Sequence, residues 1–453
     1  MPTSEGNISS TATPPATSRI EPVRTSGITN AGESRRTAWG LTGLLMLLYT
    51  INNGDKIVLG LVAQPLKNEF GFTSAQIGLA GSLFFLAMTV SGFFTNVFNR
   101  WVSLRTGLAF LAIAWAFCML PMVVFGSLVV LIVSRVLLGF FEGPSSALIH
   151  TATYSWHPNN KRALPGAIIT SAAALAKIAL GPALGYLIVA HGWRSAFIVM
   201  SISSVVWCAI WLTTWRPGPY GAEKASKASS STPSELPNPE SRIRWIEIFK
   251  LPTFLAGAFA VFSFYALTTI VMTWLPSYFE EGLGFSAIAA SSLFAVPSIC
   301  ALASLLASTL IADRLAVRGV NSRIHRGLIP GIALLLCGIG MVSLPMINNS
   351  VLVVVVVSVS YGLGTVVYPL FNAAISQIAP QLKLAGTLGV FLGIQTCGGL
   401  IAPYVAGLIV DSHPGAVGYA MAFQIFGAVA VLGAIGAIAF VNPHRDSRVI
   451  RTA

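Results

Sequence analysis

The sequence predicts an all-α membrane protein of about twelve transmembrane helices in two six-helix halves. Three observations lead there. Of 453 residues, 55% are hydrophobic and only 9% charged, whereas a soluble domain carries about 25% charged residues. Runs of about 20 apolar residues, each long enough as a helix to cross ~30 Å of hydrocarbon, recur along the chain. They lie at 38–62, 76–99, 104–125, 128–152, 163–189, 195–214, 252–275, 285–311, 326–346, 350–378, 386–410 and 416–441. The longest polar interruption, residues 216–250, divides these spans six and six.

The elements follow in order. Residues 1–37 are rich in Ser, Thr, Pro and Arg and have no early apolar core, so a disordered cytoplasmic tail is expected and the first span directs insertion. The N-terminal half covers 38–215. The linker 216–250 has a Ser/Pro-rich middle, expected to be flexible, and ends in "RIRWIEIFK", whose alternating basic and apolar residues suit the membrane surface. The C-terminal half covers 251–441, and 442–453 form a second cytoplasmic tail. An internal repeat supports the halves: "PALGYLIV" from Pro182 resembles "PYVAGLIV" from Pro403, and basic loops follow the second and eighth spans, "NRWVSLR" and "ADRLAVR".

The net charge of +12 takes its meaning from location. With the N-terminus placed inside, about 22 of the 27 basic residues fall on the cytoplasmic side, Lys67 and Arg194 fall outside, and three lie within spans. Both termini are therefore expected in the cytoplasm, and the charge does not call for a nucleic-acid partner. Compact loops suit a bacterial inner membrane. The five cysteines all fall in spans without C-x-x-C or metal spacing and are expected to serve packing. No metal or cofactor is expected. H-E-x-x-H, G-x-S-x-G and P-loop patterns are absent, which disfavours an enzyme.

Charges inside spans cost about 2.5–3.5 kcal/mol each at a helix centre, so the few that occur are candidates for function. They are Asp55 and Lys56 in "YTINNGDKIVLGL", Arg135 and Glu142 in the fourth span, and Lys177 in the fifth. Arg135 and Glu142 stand about two turns apart on one face, with Gly139 between them. Asp55 and Lys56 are adjacent, and the poor helix formers of "NNG" predict a loosened turn that directs both inward. His150, rotated about 80° from Glu142, reads as interfacial. Two acids against three bases suit a cavity that admits an anion and a proton; the alternative is that these charges merely pair and join helices. The C-terminal half offers Tyr265, Trp274, Tyr361, Asn372, Gln395 and Thr396 as hydrogen-bonding and aromatic candidates for a substrate. Glu280 and Glu281 read as solvated loop charges.

These motifs carry a resemblance. "RVLLGFFEGPSSALIH", "GPALGYLIVAHGWRSAFIV", "TWLPSYFEEGLGFS" and "DKIVLG" resemble segments of the major facilitator superfamily and, within it, of the anion:cation symporter family. The resemblance spans essentially the whole membrane portion. It implies a carrier of small organic anions, coupled to protons or to sodium, that works by alternating access as a monomer in the lipid bilayer. By position, Asp55 and Glu142 are similar to the family's titrating acids, Lys56 to its substrate-contacting Arg, and Arg135 to its fourth-span Arg.

The departures are informative. Lys56 replaces a bidentate Arg with a point charge, and Val58 stands where the family has Asn. The gating motif after the second span is degraded, with Asn96 for its Asp although Arg100 remains; Asp313 and Arg314 keep the acid–base pair in the second half. Lys177 and Tyr186 each replace a Gly of the drug–proton antiporter motif. Import of a small carboxylate with protons is the expectation, with Lys177 among the substrate contacts. A drug/proton antiporter is the alternative, and a non-transporting receptor or enzyme lies further off. Aromatic acids, sugar acids and short dicarboxylates all fit as substrates, and the aromatic candidates favour an aromatic or hydroxylated one.

Overall fold

A computed structural model describes residues 31–94, 102–158, 161–220, 244–380 and 383–452. Twelve long helices make up the fold. The first half holds α1 (Ala31–Phe70), α2 (Ser74–Phe93), α3 (Leu104–Val124), α4 (Leu128–Tyr154), α5 (Leu164–His191) and α6 (Arg194–Thr214). The second holds α7 (Pro252–Gly282), α8 (Ala287–Val317), α9 (Ile324–Val342), α10 (Ser350–Ile378), α11 (Gly386–Ser412) and α12 (Ala416–Phe440). No strand occurs among the described residues. Eleven of these helices are long and apolar enough to cross a membrane. The twelfth, α1, has 40 residues, and its hydropathy is lowered by Asn52, Asn53, Asp55, Lys56 and Gln64 in its middle.

Three segments differ from the sequence reading. α1 begins at Ala31, inside the 1–37 tail, because "AGESRR" has no proline and supplies Ala, Glu and Arg, which favour helix. The tail after α12 is helical over Pro443–Thr452, and its buried Asp446 accepts the Thr253 N–H at 2.9 Å, which ties it to the start of α7. α1 also stays helical through Asn52–Lys56, where a loosened turn was expected. Gly54 serves packing there: a Cβ would stand 2.7 Å from the Met200 methyl and 2.8 Å from Leu180.

The halves pair their helices alike. α1 packs on α5, α2 on α4 and α3 on α6; α7 packs on α11, α8 on α10 and α9 on α12. This is the pairing a duplicated six-helix unit produces. α1 and α7 are the inner members. Between Ile51 and Gln64 every α1 residue except Lys56 is buried, and 72% of the most apolar window of α7 is buried against 28% for α8.

The halves meet where α2 packs on α11, α1 on α7 and α5 on α8. Glycine permits the close approach. A Cβ at Gly78 of α2 would collide with the Pro403 carbonyl of α11, and one at Gly60 of α1 with the Met272 carbonyl of α7. Twelve alternating helices put the start of α1 and the end of α12 on one side, the terminal face, and the α1–α2 turn on the other, the far face. At the far face Gly192, with φ of 80°, ends α5 and turns the chain into "WR". Arg194 forms an ion pair with Glu69 at 2.7 Å, and Trp193 donates its indole N–H to the same carboxylate. The Arg194 guanidinium, with help from Trp193, holds Glu69 below its ordinary value.

Candidate functional site

The intramembrane charges of α1 and α4 converge. Lys56 Nζ lies 3.0 Å from a Glu142 carboxylate oxygen and donates to Asn52 Oδ1 at 2.7 Å. Asn52 sits one turn before Lys56, so the helix repeat brings the two together. Arg135 donates to the Asp55 main-chain carbonyl at 2.9 Å, with its guanidinium 6.0 Å from the centre of the Phe197 ring. Asp55 is near enough to Glu142, Arg135 and Lys56 to feel all three charges. Both Asp55 carboxylate oxygens are buried without a hydrogen-bond partner among the described residues. A buried polar group without a hydrogen-bond partner is costly, which sets Asp55 apart from the paired Lys56.

Local packing explains why the charges meet. Gly139, between Arg135 and Glu142, lets α4 lie directly on α2: a Cβ there would collide with the Phe84 carbonyl. On the other side Tyr49 donates to Ser146 at 3.3 Å and meets the His150 ring edge-on at 6.2 Å. His150, read as interfacial, therefore packs against α1.

Lys177 stands apart from this cluster. It lies on a five-residue π-helical turn, Ala176–Leu180, that interrupts α5 just before Gly181 and Pro182. Pro182 has no N–H and its ring crowds the preceding turn, which the wider turn accommodates. Lys177 is buried, and its Nζ donates to the Tyr361 hydroxyl of α10 at 2.8 Å. Tyr361 packs on Phe264 of α7, which also meets Tyr368, and Tyr368 pairs with the Thr268 hydroxyl at 3.0 Å. The Tyr265 ring of α7 meets Phe85 of α2 edge-on, with ring centres 6.0 Å apart.

The remaining sequence candidates are scattered. Trp274 is fully buried and donates to the Pro403 carbonyl at 3.0 Å, a contact within the second half. Thr396 accepts from Thr89 of α2 at 3.2 Å. Asn372 and Gln395 are half-buried, and each has a side-chain oxygen without a hydrogen-bond partner among the described residues. Asp313 and Arg314 are exposed at the terminal-face end of α8. Asn96 and Arg100 lie outside the described residues.

Sequence reasoning missed two features. One is Asn52, for which the four-residue spacing to Lys56 was a usable signal. The other is at the far face, where Glu281, read as a solvated charge, accepts from Gln64 at 2.7 Å, Lys67 at 2.9 Å and Tyr419 at 2.7 Å. Lys67–Glu281 is the one ion pair that joins the halves among the described residues. Asp411 of α11 reinforces it by accepting the Ser74 and Ala75 N–H groups that open α2, at 2.8 and 2.7 Å. Nothing in the spacing of residues 138 or more apart announces such contacts.

Twelve long helices in two like halves, with opposed charges gathered inside the first, fit a membrane transporter. The chain belongs to the Major Facilitator Superfamily, which it matches over residues 45–380. It is 25% identical over 403 residues to the hexuronate transporter of Bacillus subtilis, covering 88% of this chain and 93% of that one. It is 25% identical to the D-galactonate transporter of Escherichia coli, over 91% of this chain and 97% of that one. Similarity to a probable sulfoacetate transporter of Cupriavidus necator is 26%, over 90% and 94%. Among solved structures, a bacterial homologue of the human lysosomal transporter Spinster, inward-facing and occupied, superposes with a TM-score of 0.74 at 15% identity, over 90% of this chain and 98% of that one. A D-xylose–proton symporter gives 0.70 at 16% identity, over 90% and 98%.

Proposed function

We propose that the protein imports a small organic anion, a sugar acid or related carboxylate, together with protons across the bacterial inner membrane. The observation that carries this reading is the Lys56–Glu142 ion pair at 3.0 Å beside an unpartnered Asp55 carboxyl. The names of the relatives, transporters of hexuronate, galactonate and sulfoacetate, support an anionic cargo. The basic residues crowded on the terminal face support a cytoplasmic location for both chain ends.

The chemistry follows from competition for cations. A substrate carboxylate that enters the site neutralises positive charge that otherwise holds Glu142 ionised, and Glu142 then takes a proton. Asp55, in the field of the same bases, relays or holds the second proton. Loss of the protons on the cytoplasmic side restores the Lys56–Glu142 pair and releases the anion. The halves rock about this centre, and with the far face held by Glu281 the present arrangement suits the inward-facing state.

Reconstituted vesicles test this directly. D-glucuronate and D-galactonate should accumulate when the lumen is made alkaline, and a protonophore should abolish the gain. Asp55→Asn and Glu142→Gln should each lose accumulation driven by the pH gradient by at least about tenfold, while anion exchange at equal pH persists. Uptake that ignores the pH gradient, or full gradient-driven uptake by both variants, would sink the coupling. Failure to take up any acid would sink the substrate class.

A further inference from the structure

Three cations lie in the membrane-spanning core of the first half, Arg135 and Lys177 buried and Lys56 partly buried, and their partners differ. Lys56 is matched by Glu142 at 3.0 Å and Asn52 at 2.7 Å. Arg135 spends a donor on the Asp55 carbonyl and interacts with both acids. Lys177 has no carboxylate within ion-pair distance among the described residues. Its partner is neutral: the Tyr361 hydroxyl at 2.8 Å, with the ring centre 5.0 Å from Nζ.

A buried ammonium opposite a phenol is an incomplete arrangement. Burial of an uncompensated charge is costly, and a neutral hydroxyl offsets only part of that cost. An arriving carboxylate would supply the missing anion. We propose that Lys177, rather than Lys56, is the primary carboxylate anchor of the transported anion, and that the substrate takes Lys177 over from Tyr361. This rests on the organic-anion reading above and deepens it by assigning the anchor.

The placement also gives the bound anion contacts on both halves. Lys177 belongs to α5, and Tyr361 to α10. Around Tyr361 stand Phe264, Tyr368 and Thr268, an apolar wall with hydroxyl groups that suits the carbon skeleton and hydroxyls of a sugar acid. Lys56 is then a secondary contact for the cargo, and through its pair with Glu142 it couples the anion's arrival to the proton. The long, flexible lysine stem on a π-turn lets the ammonium follow the carboxylate as the halves move. A Tyr361 hydroxyl freed from Lys177 becomes a donor for the substrate itself.

Affinity measured on the full-length protein in lipid nanodiscs separates the two lysines. Titration with D-glucuronate, with D-glucose as the neutral control, should give for Lys177→Met a loss of about tenfold to a hundredfold. Lys56→Met should lose less affinity than Lys177→Met, and Lys177→Arg should recover most of what Lys177→Met loses. Tyr361→Phe provides an arm that keeps Lys177 intact: with its resting partner gone, glucuronate should bind as tightly as to wild type or tighter. Wild-type affinity in a Lys177→Met variant that runs as a folded monodisperse species overturns the assignment. So does a larger loss in Lys56→Met than in Lys177→Met, or a tenfold loss in Tyr361→Phe. A wild-type protein that binds neither D-glucuronate nor D-galactonate overturns the organic-anion reading instead, which distinguishes the two failures.

Discussion

Glu142 and Lys56 show how much one residue's meaning depends on its partner. Each is a charge inside a span, and each is tolerable because the other lies 3.0 Å away. Removing one member of a buried pair leaves the other uncompensated, at a cost of about 3–5 kcal/mol. Glu142→Gln is therefore expected to lower the midpoint of thermal unfolding in nanodiscs, and Glu142→Gln combined with Lys56→Met to recover most of the loss. A double-mutant cycle measures this, and strict additivity of the two single changes would contradict the pairing. The sequence made all five charged candidates visible, since few such residues occur in the spans. It could not assign partners, because Asp55 and Lys56 are neighbours whose side chains find different groups: Lys56 reaches Glu142, whereas the carboxyl of Asp55 accepts no hydrogen bond among the described residues.

At the scale of the element, two helices carry information that hydropathy does not contain. α5 changes pitch at Ala176–Leu180, so Lys177 is placed by a π-turn and not by regular helical phase. α2 and α11 form a seam of small residues whose effect depends on a facing backbone: Gly78 meets the Pro403 carbonyl, and Gly407 meets that of Ser74. Gly78→Leu should pry this seam open. Transport should fall by at least about tenfold, as expected for an over-packed contact between moving parts, while a cysteine placed at Gln64 in a cysteine-free background becomes more reactive to a charged thiol reagent added from outside. Unchanged labelling would show that the seam does not hold the far face shut. Helix positions were legible from the apolar runs, because crossing a bilayer demands length and apolarity from each segment alone. The pitch change at Lys177 was not legible, since Pro182 permits several local solutions and packing against α8 selects one.

Across the whole molecule, the far-face network adds to the Lys177–Tyr361 contact the one ion pair that joins the two halves among the described residues. Glu281 gathers Gln64 and Lys67 from α1 and Tyr419 from α12, and Asp411 binds the start of α2. Lys67–Glu281 is partly exposed, so its strength is screened by salt and is modest alone. In the proposed alternating-access cycle its leverage comes from position, because a contact between the halves at the far face favours the arrangement in which that face is closed. Glu281→Gln is expected to shift that balance by a few fold toward the outward-facing state, seen as a change in distance between spin labels on α1 and α7 at the far face. An identical distance distribution in variant and wild type would remove Glu281 from gating.

The sequence by itself determined the class of this protein. Composition, twelve apolar runs, the central polar break and the resemblance of several motifs define a membrane transporter of two six-helix halves, because the solvation of a chain by lipid is a local requirement that each segment must satisfy. The tertiary structure decided which charges meet. Only packing joins α1 to α4 at Lys56 and Glu142, leaves Lys177 opposite a tyrosine from the other half, and turns Glu281 from a surface charge into a link between halves. Pair energies depend on distances across helices, and those distances come into being only when the helices assemble.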